Sequence, residues 1–275
     1  MLTAGIVVKQ ADADADSFIV STALALASSS KPVVVVSADT DIFVMLLTQV
    51  VLNMDLHMLC QKNPPMLYNI RDIQDNIGDT CTYLMVIHAI SGCDIVSAVY
   101  RQGTHKAFNL VHKKHESDML KIFSSPASTR DEIQKAGKTF LLKLYGAPNH
   151  CTSLDAYRYI EYKQAISRIT LSSSFQLAAL PPTSAAAKQH SYRTYLAVQE
   201  WTGNCLQPTE SGWKLENNML SPVERENPTA PDTLLNIISC GCKADGCGAT
   251  CGCRKMGVRV AKHAITLHQL NQCWM

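Results

Sequence analysis

Val33-Val-Val-Val-Ser-Ala-Asp39-Thr-Asp41 is the stretch on which the fold turns. Four β-branched residues in succession, with no polar alternation, predict a strand buried on both faces, the kind found in parallel sheets. Asp39-Thr-Asp41 ends the strand, and Ile42 to Leu52 follows as an apolar helix. Upstream, Ser17 to Ala27 carries apolar residues at helical spacing until Ser28-Ser-Ser-Lys-Pro32 breaks the pattern. Downstream, Leu56 to Cys60 and Met66 to Asn69 read as short strands and Thr80 to Ala89 as a buried helix. Helix and strand signals in this alternation predict an α/β fold with a parallel sheet, whose strand ends are where chemistry collects.

Three acidic points fall at element boundaries. Asp14-Ala-Asp16 opens a helix, Asp39-Thr-Asp41 follows the valine strand, and Gly92-Cys-Asp94 follows a buried helix. If they converge at one edge of the sheet, their mutual repulsion calls for a cation, and hard oxygen donors suit magnesium or manganese. Two such ions about 4 Å apart can activate water and stabilise the leaving oxygen of a phosphodiester. Taken singly, each aspartate also reads as a helix cap: Asp12 or Asp14 for the helix from Ser17, Asp39 or Asp41 for the helix from Ile42.

Asp14-Ala-Asp16, the valine strand with Asp39-Thr-Asp41, and His88-Ala-Ile-Ser-Gly-Cys-Asp94 together resemble, in order and spacing, the acidic motifs of the flap-endonuclease family within the PIN-like nucleases. Joined to Leu180-Pro-Pro-Thr-Ser-Ala-Ala-Ala-Lys-Gln-His190 and the terminal cysteines, they also resemble a group of transposon-associated animal proteins over nearly the whole chain. The resemblance implies a metal-dependent, structure-selective nuclease with Asp14, Asp16, Asp39, Asp41 and Asp94 as catalytic metal ligands. It also implies a helix-two-turn-helix at about 92–111, its core over Ser97 to Leu110, gripping duplex backbone. Gly103-Thr-His-Lys106-Ala matches the second half of the family's glycine hairpin, whereas Arg101 stands where its first glycine is usual. Family members place a leading strand with a further aspartate, and a basic helical arch, ahead of the point where this sequence starts. The expected core therefore lacks its first strand, as a fragment or as a decayed nuclease.

Arg101, His105, Lys106, His112, Lys113, Lys114 and His115 form a basic stretch directly after Asp94. Alone it reads as a solvated helix face; beside the acidic motif it points to phosphate contact, with Arg101, Gly103, Lys106, Lys113 and Lys114 as the nucleic-acid residues. Near the end, Cys240-Gly-Cys242, Cys247 and Cys251-Gly-Cys253 pack thiols among small residues and cations. That pattern asks for zinc, because adjacent CxC thiols make strained disulfides. The block resembles the first half of tesmin-like CXC domains, which bind DNA; in the second half Val260 and Ala264 replace cysteines, leaving His263, His268 and Cys273 as substitutes.

Of the chain's 275 residues 47% are hydrophobic and 17% charged, and the net charge is +2, which predicts a folded protein but names no partner. No segment reaches the roughly 18 apolar residues of a membrane helix, and the start lacks signal-peptide character. The expectation is an intracellular protein, nuclear ahead of cytoplasmic, with no membrane partner and DNA ahead of RNA as ligand. The expected division is 1–125 for the truncated core, 126–202 for a helical extension, 203–236 for a proline-marked linker and 237–275 for the cysteine segment. His88 reads as a satisfied helix histidine, Trp201 and Trp213 as packing for the linker, and Lys188, His190 and Arg193 carry no assignment. The rival function is a catalytically inactive nucleic-acid or protein binding module with a zinc cluster.

Overall fold

The sheet is small and mixed. In the computed structural model, which describes residues 6–11, 14–28, 31–114, 116–168 and 176–223, β1 (Val33–Val36) pairs in parallel with β2 (Leu56–Cys60). β2 then pairs antiparallel with β3 (Met66–Asn69), giving the order β1-β2-β3. The expected all-parallel sheet is corrected at β3: the connection 61–65 is far shorter than the dozen or so residues of a crossover, so the chain must turn back as a hairpin. Between β1 and β2 runs α2 (Thr40–Gln49), and α1 (Ala15–Ala27) leads into β1.

β1 is not buried on both faces, as four valines in a row suggest. Val35 points into the core, while Val34 and Val36 are 50% and 54% exposed. The helices collect on the inner side, where Ile42, Met45 and Leu46 of α2 are fully enclosed with Leu56 and Met58 of β2. Each such side chain contributes about 1.5–3 kcal/mol relative to exposure.

Local signals place the remaining helices. Asn69 ends β3 and its side chain accepts from the backbone N–H of Arg71 at 2.9 Å, starting α3 (Ile70–Ile77). A 3-10 turn over Gly78–Tyr83 feeds α4 (Leu84–Ser91), all eight residues of which are buried. After two turns comes α5 (Thr104–Lys114), then the short α6 (Lys121–Ser124). Thr129 and Glu132 form a reciprocal capping box at the start of α7 (Arg130–Tyr145), and Gly146 closes it in the left-handed conformation. α8 (Leu154–Arg168) and α9 (Ser184–Trp201) follow.

α9 is the spine of this half. It packs on α4, α6 and α7, and Gly137 of α7 meets it so closely that a Cβ there would lie 1.8 Å from Ser191 Oγ. Residues 126–202 are thus no extension added to a finished core; they belong to the unit 1–222 and complete it. Residues 203–236 were expected to be extended connector, yet they hold a hairpin of β4 (Trp213–Glu216) and β5 (Met219–Pro222). Asn217 and Asn218, at φ 51° and 60°, supply the two left-handed positions of a two-residue turn. The described residues end at Val223, and Cys240, Cys242, Cys247, Cys251 and Cys253 lie outside them. Among the described residues no helix is long and apolar enough to cross a membrane.

Candidate metal centre

Two helix starts bring the carboxylates together. Asp39, directly after β1, caps α2 by accepting the Asp41 backbone N–H at 2.8 Å, and Asp41 lies in the helix's first turn. Asp16 lies in the first turn of α1, which packs on α2 and β1. One carboxylate oxygen from each of Asp16, Asp39 and Asp41 lies within 4.8 Å of the others. Opposite ligands of an octahedral magnesium ion are about 4.2 Å apart, so this spacing fits one shared cation after small side-chain adjustments. Asp14 sits at the N-cap position of α1 but makes no capping bond with its side chain, and Asp94 lines the same cleft from the turn after α4. Of the five expected ligands, three form the cluster and two flank it.

Gly92 makes the placement of Asp94 possible. It closes α4 at φ 116°, and a Cβ there would stand 2.4 Å from Ala98 Cα, so only glycine lets the following loop fold back on the helix end. The resulting cleft, of about 580 Å³, is lined by Asp39, Asp41, His88, Cys93, Asp94 and Thr104 among others, with no lysine or arginine among its described lining residues.

The electrostatics follow from that imbalance. Asp16 is pushed up to about 6, first by burial and then by the charges of Asp14, Asp39, Asp41 and Asp94, so all five carboxylates act on one site. The positive ends of α1 and α2 favour anions there, at about 0.3–1 kcal/mol each, and do not remove the repulsion. Cys93 is pushed up to about 11, chiefly by burial with Asp41 and Asp94 adding to it. Its thiol is not among the groups whose donor atoms come together, so the cluster of Asp16, Asp39 and Asp41 offers oxygen alone.

His88 was expected to be an ordinary, satisfied helix histidine. One nitrogen is satisfied: Nε2 lies 2.6 Å from Asp41 Oδ1 with both side chains buried. The other is not, since Nδ1 is buried without a partner. Trp201 was expected to pack the linker; instead its indole stacks on the imidazole, with ring centres 6.0 Å apart and planes at 21°.

The basic stretch starts at the cleft and runs away from it. Thr104, the first residue of α5, lines the cleft, and its hydroxyl meets that of Ser91 at 2.8 Å. Lys106 and Lys113 are exposed and seven residues apart, hence on one helix face, with Lys113 about 13 Å along the axis from Thr104. Lys106 Nζ donates to Gln102 Oε1. Gly103 is exposed with open space where a Cβ would be. Lys114 lies on α5, its side chain outside the described residues. Within the 92–111 stretch expected to be a helix-two-turn-helix, 92–103 holds turns and no helix, and α5 is the one helix. Arg101, where a glycine was expected, takes φ 55°, the backbone conformation a glycine would adopt.

Glu200, in the last turn of α9, was not picked out from the sequence. Its carboxyl is raised by burial and then by Asp14, which puts a sixth acidic group within electrostatic reach of the site. Nothing in the sequence relates two residues so far apart. His190, unassigned before, holds α9 to the end of α4: Nε2 meets Ile90 O at 2.9 Å and Nδ1 meets Ser97 Oγ at 3.4 Å.

No family model matches the chain, and neither the curated proteins nor the solved structures give a match.

Proposed function

We propose that this chain is a divalent-metal-dependent, nuclease-like protein that acts on nucleic-acid phosphodiesters, with Asp16, Asp39 and Asp41 holding magnesium or manganese and Asp14 and Asp94 flanking them. The observation that carries the reading is three carboxylate oxygens within 4.8 Å, two of them from Asp39 and Asp41, which line a cleft with no lysine or arginine among its described lining residues. A donor set made of oxygen alone favours a hard cation over a soft one. A cation bound there would neutralise charge on phosphoryl oxygens and make a neighbouring water more acidic. The chain's own residues do the positioning. Asp39 is fixed by its cap bond and Asp41 by His88, while Arg101 and Lys106 at the mouth of α5 supply charge for a backbone phosphate.

A second reading has its own support. Asp39 already serves the α2 backbone and Asp41 already accepts from His88, so two of the three carboxylates have partners within the chain. An inactive binding module that keeps the old cluster as structure is compatible with that.

Cleavage assays on flap, single-stranded and duplex DNA and RNA, with magnesium, manganese or EDTA, separate the two. Metal-dependent cutting by the wild-type chain that is lost in Asp39→Ala/Asp41→Ala supports the nuclease. Salt-sensitive binding without cutting supports the module.

A further inference from the structure

α4 is an apolar helix with one ionisable residue, and that residue bears an unmet cost. Leu84, Met85, Val86, Ile87, Ala89 and Ile90 are buried around His88, whose Nδ1 has no partner. A residue serving packing alone would be apolar here, because a buried polar atom without a partner is destabilising. The imidazole is nevertheless held firmly. Trp201 stacks on its face, and the Trp201 carbonyl accepts Gln49 Nε2 at 2.7 Å, tying the end of α9 to α2, the helix that carries Asp41. The one polar service the ring performs is the 2.6 Å contact from Nε2 to Asp41 Oδ1.

We infer that His88 is the positioning residue of the acidic cluster: its Nε2–H donates to Asp41 and fixes that carboxylate for the divalent cation. The inference rests on the metal-dependent reading of the site given above. An ionised carboxylate can only accept, so Nε2 is the donor of this bond. The bond stops the carboxylate from rotating away from Asp16, with which it shares like charge. His88 therefore removes disorder from a ligand without filling the site.

The test is the affinity of the full chain for Mn²⁺, read from the paramagnetic resonance signal of the free ion, in the wild type, His88→Phe and His88→Gln. Phenylalanine keeps a flat ring against Trp201 and has no donor; glutamine keeps a donor at similar reach. The expected result is a loss of about 10–100-fold in His88→Phe, the scale of losing a hydrogen bond behind a metal ligand, with most of the affinity restored in His88→Gln. If His88→Phe does not fold, as judged by its circular dichroism melt, His88→Asn replaces it: equally polar, but too short to reach Asp41, and expected to bind weakly beside His88→Gln. Equal affinity in a folded donor-free variant and the wild type overturns the role of His88 while leaving the metal site intact. A wild-type chain that binds no Mn²⁺ overturns the metal reading, and the inference falls with it.

Discussion

Two regions of the same unit bury polar side chains, and they treat them oppositely. Along α9, Ser191, Thr194, Tyr195 and Gln199 bond to the carbonyls of Ala187, His190, Ser125 and Phe123, and both nitrogens of His190 have partners. In the cleft the carboxylates face one another, Asp16 is pushed up to about 6, and His88 Nδ1 has no partner. Buried polarity alone therefore does not mark a site. Satisfied polarity in the spine holds α9 in place, whereas the carboxylates at the cleft repel one another, a repulsion that a cation would offset on the reading proposed above.

The contrast can be broken first at the spine. Gly137→Ala puts a Cβ 2.7 Å from Ser191 Cβ, which cannot rotate away, so denaturant unfolding should show a loss of about 1–3 kcal/mol, with Mn²⁺ affinity of the folded fraction unchanged. A similar loss of metal affinity would show that the two regions are not separable.

The next effect is one of sign. Burial holds His190 down at about 4 against an ordinary 6.5, so its contribution to stability is present above 6.5 and is lost as the pH falls toward 4. Asp16 behaves inversely: raised from 3.8 to about 6, it contributes stability below 3.8 that is lost as the pH rises through 6. Melting curves in EDTA between pH 7 and 4.5 should therefore fall more steeply with acid in Asp16→Asn than in the wild type, and less steeply in His190→Gln. Parallel curves for all three would remove the distinction between the regions.

The smallest effect belongs to the rim. Arg101→Gly relieves a left-handed backbone angle at φ 55° and should stabilise the fold by about 1 kcal/mol or less, since glycine also loosens the unfolded chain. If Arg101 meets a phosphate, the same change should make the salt dependence of nucleic-acid binding shallower by about one unit.

What could be read from the sequence was set by how local the signal is. Asp39-Thr-Asp41 after four valines marks a strand end with paired carboxylates, and the structure places both there together with Asp16. The exposed faces of Val34 and Val36 could not be seen, because a valine run is the same whether one face or two are covered. The role of α9 was hidden by its polar residues: a helix buried all round is usually apolar, and this one is buried with Gln189, His190, Arg193 and Gln199 inside. The 213–222 hairpin had a legible signal in Asn217-Asn218 between two short strand-like runs, passed over among the neighbouring prolines. His88 and Glu200 acquire meaning only from residues far away in sequence, Asp41 and Trp201 for one and Asp14 for the other. The one local hint for His88 was an ionisable residue inside an apolar helix just before Gly92-Cys-Asp94.

Whether the acidic cleft is a cation site is answered most directly by anomalous diffraction from crystals grown in manganese. A peak within bonding distance of oxygens from Asp16, Asp39 and Asp41, absent in Asp39→Ala/Asp41→Ala, is the expected result. A map with the three carboxylates ordered, manganese bound elsewhere on the chain and none between them would contradict it.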